Sequence, residues 1–253
     1  MTLGFDYLMT FLLISLRLSG LMLTARVFGE NLLSWGVKLP LVLALSLLLL
    51  YTVPPARISS LAALTLAAAG ELLLGLAMGL FSSLIFYALA TAGQLSALQT
   101  GLGFSTLVDP YNGENNSVLS HMLVLAGWMV VLAMDGHQIL VRALAASFKQ
   151  LPPGAAHLAL GRVALEVPLA GVKIFVGGVL VAAPVLAVVL LVNVGLALLA
   201  RAAPQLNVLA VGFIVTIVLG VLTLAFGLSS AGETIRREYL DTAGKLLALC
   251  SIG

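Results

Sequence analysis

Charge is scarce in this chain. Lys, Arg, Asp and Glu make up 9% of its 253 residues, 61% are hydrophobic, and the mean hydropathy is +1.17. A soluble globular domain carries about 25% charged and about 45–50% apolar residues. The chain cannot cover an ordinary water-facing surface, which excludes a soluble monomer. Disorder is excluded too, because it needs low hydrophobicity and high charge. What remains is an integral membrane protein, or a subunit enclosed by partners on nearly all sides.

Other absences narrow the chemistry. The single cysteine, Cys250, can form no internal disulfide and no CxxC metal site, and reads as a small apolar residue. It leaves the redox compartment open. Twelve basic against ten acidic residues give a net charge of +2. No Lys/Arg cluster with interleaved aromatics occurs, so nucleic-acid binding finds no support. There is no GxSxG elbow, no GxxxxGK[ST] loop and no GxGxxG loop. His121, His137 and His157 fit no HExxH-type spacing. No catalytic, cofactor or metal residue is assigned.

No Lys or Arg precedes the first apolar run, 5–23; Asp6 lies near its start and Arg17 inside it. A secretory signal has a basic start and an uninterrupted apolar stretch, so this segment reads as a retained helix.

Long apolar runs dominate what is present. Residues 39–56, 72–108, 174–200 and 202–232 contain no charge, and 115–134 contains only His121. A bilayer core about 30 Å thick needs roughly 20 apolar residues as a helix. Helices are expected near 5–23, 38–53, 61–90, 117–134, 168–200 and 207–229, with no strand alternation competing. Pro54–Pro55, Pro152–Pro153–Gly154 and Pro204 mark helix ends, and Pro184 predicts a kink or break inside a long run. With no repeat and no hydrophilic linker, residues 1–253 read as one domain. The expected fold class is all-α: an integral-membrane-type protein of about six long apolar helices.

If all six runs crossed the bilayer, eight Lys/Arg would lie on the side of both termini: Arg57, Arg142, Lys149, Arg162, Lys173, Arg236, Arg237 and Lys245. Arg26, Lys38 and Arg201 would lie opposite. The excess of basic residues in cytoplasmic loops would then put both termini in the cytoplasm.

Polar groups inside apolar runs are candidate functional positions. Glu71 is neutral, paired with a cation such as Arg17, or faces a wet interior; a carboxylate at a membrane helix centre costs about 2.5–3.5 kcal/mol. Gly75 and Gly79 follow at four-residue spacing and would let a neighbouring helix approach closely. The reading for Glu71 is a packing anchor, with a proton-relay acid as the alternative.

Residues 94–117, QLSALQTGLGFSTLVDPYNGENNS, hold Gly101, Gly103, Pro110 and Gly113, and will not stay helical. Yet Leu102, Phe104, Leu107 and Val108 are too apolar for a solvated loop. Such backbone at membrane depth must be buried in protein or line a wet cavity. It either plugs or lines a pore, or is a re-entrant loop with no moving part. In MDGHQ, Asp135 and His137 flank Gly136, and the reading is a structural turn with Gly136 permitting the bend. Arg201, Gln205 and Asn207 surround Pro204 in ARAAPQLNVLAVGF, a polar hairpin that satisfies its own backbone groups. Asn193, within VLLVNVGLALL, should hydrogen-bond across helices.

The order of these motifs resembles the FliR family of flagellar export-gate proteins, with SctT counterparts in virulence-type secretion systems. The features are E-L-x-x-G-x-x-x-G at 71–79, GQLSALQTGLGFSTLVDP, MDGH, the long helix with Pro184 and Asn193, and PQLNVLAVGF. The resemblance covers nearly the whole chain. Ile214 departs from it, because many flagellar members carry proline after the Gly-Phe pair.

The resemblance implies one subunit of a helical hetero-oligomer with several FliP-like and FliQ-like subunits, its helices several times broken into hairpins, and an FlhB-like subunit around the outside. That assembly would be the channel by which unfolded flagellar proteins leave the cytoplasm, in the bacterial inner membrane at the flagellar basal body. Residues matching Gln99, Gly101, Gly103, Phe104, Leu107, Asp109 and Pro110 would help plug the pore. Glu71, Gly75, Gly79, Asp135, His137, Asn193, Arg201, Gln205 and Asn207 would be structural or interhelical. Partner protein would replace much of the lipid, which argues against six full crossings. The competing reading is a small-solute or proton-coupled transporter using Glu71, Asp135 and His137, but no paired inverted repeat supports it. An intramembrane enzyme lacks any nucleophile–base or metal constellation.

Overall fold

A computed structural model of the chain describes residues 2–29, 34–56, 58, 60–103, 117–203 and 207–250. Among the described residues there are seven α-helices and no strand. They are α1 (Thr2–Thr24), α2 (Trp35–Leu50), α3 (Leu61–Thr100), α4 (Val118–Ala133), α5 (Gly136–Gln150), α6 (Leu160–Ala202) and α7 (Val208–Cys250). Six of them answer the six apolar runs.

The differences have physical causes. Helix α5 was not expected, because it carries Gln138, Arg142, Lys149 and Gln150 and does not register as an apolar run. It forms because Leu140, Ala143, Leu144, Ser147 and Phe148 recur on one face, which is buried. Helices α3 and α7 run on past 90 and 229. In α7 the extension is charged but supported by pairs at helical spacing: Glu233 with Arg236 and Arg237, and Asp241 with Lys245. Helix α6 starts at Leu160 and runs unbroken through Pro168 and Pro184, so the break considered at Pro184 does not occur. Proline there removes one bond from a 43-residue helix, and its ring lies on the exposed side.

Among the described residues four stretches are long and apolar enough to cross a membrane, on α1, α3, α6 and α7. Helices α4 and α5 together would make a fifth, but they meet at a bend of 65°. Six full crossings are not what the helices provide. Length is the more telling quantity. At about 1.5 Å per residue, the 40 residues of α3 and the 43 of α6 and α7 extend about 60–65 Å, roughly twice a bilayer core.

By contact the chain forms two compact units. One comprises Met1–Leu84, Val131–Gly171 and Glu238–Gly253. In it α1 lies along α2, and Leu13, Ala56 and Ala67 share a buried cluster with Ile58 and Ala68 beside them. The Thr10 hydroxyl accepts the Ala56 N–H at 2.8 Å, which fixes the chain where it leaves α2. The other unit comprises Ile85–Val130 and Val172–Arg237. There Gly93 of α3 lies against the Ser120 backbone of α4, Gly178 of α6 against the Thr91 side chain, and Phe86 stacks obliquely on Trp128 at 5.4 Å. Small residues at these points let helix backbones meet, which replaces the hydrophobic drive that lipid does not supply.

Candidate functional site

Helix α3 carries both groups of candidate residues. Near its start Glu71 is fully buried, and Arg17 from α1, also fully buried, donates through Nε to Glu71 Oε2 at 2.5 Å. Arg17 Nη1 donates to the Ser147 hydroxyl at 2.9 Å and Nη2 to the Leu151 carbonyl at 3.1 Å. Its guanidinium sits 4.0 Å from the centre of the Phe148 ring. The Ser147 hydroxyl itself donates to the Leu144 carbonyl. Glu71 Oε1 accepts the Gly154 N–H at 2.8 Å, and Gly154 has a positive φ of 95°. Every oxygen of the carboxylate is therefore matched, as a buried charge requires.

The glycines around this pair explain how two helices come close enough to form it. A Cβ at Gly75 would strike the Arg17 carbonyl, and one at Gly79 would strike the Leu21 carbonyl and the Thr24 hydroxyl. Gly20 on α1 answers them, packed on the Leu72 carbonyl. The Thr24 hydroxyl then donates to Leu76 at 2.8 Å, and the Ser83 hydroxyl donates to Thr24 at 2.8 Å. Ser147, Phe148 and Gly20 have no mark of this role in the sequence. The Pro152–Pro153–Gly154 breaker was visible, but not that its glycine amide would serve Glu71, some eighty residues earlier.

At the other end of α3 the helix stops at Thr100. Gly101 turns the chain with φ 89°, and the Gly103 N–H returns to the Ala97 carbonyl at 2.9 Å. Gln99 and Gly101 line an open cavity of about 900 Å³ together with Asn193, Leu196, Phe213 and Ile214. Of the candidate plug residues, Gln99, Gly101 and Gly103 are thus placed. Phe104, Leu107, Asp109 and Pro110 lie outside the described residues, as does Gln205.

The remaining candidates scatter. Asp135 is exposed and holds the left-handed backbone of the α4–α5 bend, with φ 56°. Gly136 does not carry that bend; it makes room for Val131 and the Tyr239 ring. Tyr239 donates to the Gly136 carbonyl at 3.1 Å, and its burial pushes the phenol up from its ordinary range. The Asp135 carboxylate accepts from Gln138 rather than from His137, whose Nδ1 is buried with no partner. Asn193 is exposed and makes no bond across helices among the described residues. Arg201 is exposed, and the Asn207 side chain accepts the Ala210 N–H at 3.3 Å, capping α7. Cys250 is buried, which pushes its thiol up and leaves it inert. Among the described residues no group of three metal-type ligands occurs.

The sequence has counterparts. The chain is 35% identical over 210 residues to the flagellar biosynthetic protein FliR of Pectobacterium carotovorum, covering 82% of this chain and 80% of that one. It is 33% identical over 212 residues to FliR of Escherichia coli (83% and 80%), and 30% identical over 240 residues to FliR of Aquifex aeolicus (93% and 92%). The sequence model of "Bacterial export proteins, family 1" matches residues 8–241, so the chain belongs to that family of export proteins.

Proposed function

We propose that the chain is a membrane subunit of the flagellar protein export apparatus, with no catalytic activity of its own. In finer terms, it joins FliP-like and FliQ-like subunits in the export gate of the bacterial inner membrane, at the flagellar basal body. An FlhB-like subunit surrounds that gate. Unfolded flagellar proteins pass through the channel, and the stretch that begins at Gln99 helps to close it.

One observation carries this reading: helix α3, almost free of charge, runs about twice the thickness of a bilayer core, while α6 and α7 reach the same length with charged ends. Helix α3 has no Lys, Arg or Asp in its 40 residues and no Glu besides Glu71. Lipid can cover only about half of such a helix, so protein must cover the rest. Much of α3 is covered by the chain itself, since 67% of its most apolar stretch is buried. On α6 and α7 the figure is 22%, which leaves the covering to lipid and other subunits.

The transporter alternative needs titratable groups facing a water path. Both Glu71 oxygens are engaged and the side chain is fully buried, while Asp135 and His137 share no bond. Deleting residues 101–108 tests the gate reading: the assembled complex should keep its mass and leak potassium chloride across a planar bilayer. A deletion complex as ion-tight as the parent rules out the closing role of this stretch.

A further inference from the structure

The end of α3 is not held by its own helix alone. We propose that one face of α7, formed by Phe213, Thr216 and Gly220, is a seat that positions the C-terminal end of α3. Phe213 and Thr216 are then positioning residues for the candidate gate; this rests on the gate reading given above.

Three contacts converge on two successive residues. The Phe213 ring lies over Gly101, where an added Cβ would stand 2.6 Å from Cε2. The Thr216 hydroxyl reaches the Thr100 carbonyl at 3.3 Å. The Thr100 methyl packs on Gly220, where a Cβ would not fit. Positions 213, 216 and 220 follow the three-and-four spacing of a single helix face, so α7 presents the seat as one rigid strip. Thr100 is the last residue of α3, and its carbonyl is one of the acceptors a helix end leaves without an intrahelical partner. Gly101, at φ 89°, is the residue at which the chain turns away. The strip therefore grips the hinge point, not the helix at large.

The grip is of a releasable kind. Thr216 has one hydroxyl proton. Besides Thr100, its oxygen lies 3.0 Å from the Gly212 carbonyl and 3.1 Å from the Phe213 carbonyl of its own helix. Thr216 keeps acceptors on its own helix when the Thr100 contact breaks, so the cost of letting go falls on the Thr100 carbonyl alone. Phe213 is 47% exposed and its free side lines the 900 Å³ cavity, so the ring has room to swing from Gly101. Gly212 packs on Leu196 of α6, so the α6–α7 hairpin and the seat move together. A displacement of that hairpin would reach the α3 end through two side chains.

The test uses the chain assembled with its FliP-like and FliQ-like partners, with potassium chloride conductance across a planar bilayer as the readout and intact mass as the control. Phe213→Ala and Thr216→Val should each raise conductance several-fold with the mass unchanged, and the deletion of 101–108 should leak most. Thr216→Ser, which keeps the hydroxyl, should remain as tight as the parent. A packing defect alone would lower the yield of complex without opening it. If Phe213→Ala fails to assemble, Phe213→Leu and the Thr216 pair decide the matter. A leaking deletion beside tight Phe213 and Thr216 variants overturns the seat and spares the gate. A tight deletion overturns the gate reading itself.

Discussion

In the unit built around Arg17, helices are fastened by buried polar groups: a charged pair, three hydroxyls and a glycine amide, all matched to partners. In the unit that contains most of α4 and the second half of α3, contact is made at small residues, Gly93 on the Ser120 backbone, Gly178 on the Thr91 side chain and Gly220 on the Thr100 methyl, with single hydroxyl bonds such as Ser120 to the Ala90 carbonyl in place of an ion pair. The first kind of fastening is directional and fails sharply when one member is lost. The second is non-directional and depends on shape. Under the proposed gate reading, the combination would give one part a fixed internal arrangement and leave the other to take neighbouring subunits.

The largest effect should come from breaking the charged pair on one side. Glu71→Ala leaves Arg17 buried without its counter-charge, and removal of one partner of a buried pair costs about 3–5 kcal/mol. The thermal midpoint of the purified complex should fall sharply. The double variant Arg17→Met with Glu71→Leu should recover most of the loss, because apolar replacement of both partners is often near neutral. Recovery no better than the single variant would mean that the directional fastening does more than neutralise charge.

Next comes the shape-dependent unit. Gly93→Leu would drive a side chain into the Ser120 backbone of α4, and overpacking of this sort costs about 1–3 kcal/mol. Gly195→Ala is its counterpart, since nothing lies within 4 Å of that position. Relief of glycine's backbone entropy should stabilise the isolated helix by about 0.5–1 kcal/mol. Equal responses at the two positions, read by thermal unfolding, would erase the distinction between packed and open glycines.

Tyr239→Phe should cost about 0.5–1.5 kcal/mol through the lost bond to Gly136. It also carries a pH signature. Burial raises the phenol above its ordinary value of 10.0, so the folded state favours the neutral form. That contribution is complete below pH 10 and is lost as the pH rises beyond it. The variant should therefore show a shallower alkaline loss of stability. Smallest of all is Glu233→Gln. Its carboxyl is held below the usual range by Arg236 and Arg237, but all three side chains are exposed. No change in the thermal midpoint at neutral pH is expected, and a measurable drop would mean that this end of α7 is buried in the assembly.

Much of the helical order could be read from composition and charge-free runs, because an apolar run longer than a bilayer crossing has few other solutions. Helix α5 escaped because its signal is a one-sided periodicity with charges between, which hydropathy averages away. The bend before it also misled. Glycine is the usual left-handed residue, yet Asp135 takes that conformation while Gly136 makes space for Tyr239. Arg17 was named as a possible partner for Glu71 because a buried carboxylate needs a cation. The rest of that cluster, Ser147, Phe148 and Gly154, is joined by long-range packing for which a single sequence holds no local sign. Phe213 closes the motif that carries the family resemblance and Thr216 lies three residues beyond it, but their contact with Thr100 and Gly101 spans more than a hundred residues.

Intact-mass measurement of the chain expressed alone and together with FliP-like and FliQ-like subunits bears most directly on whether partner protein encloses these helices. Expressed together, the chain should appear only within one larger assembly; expressed alone, it should aggregate or be degraded. A monodisperse, folded monomer of 26.2 kDa in detergent would contradict that enclosure.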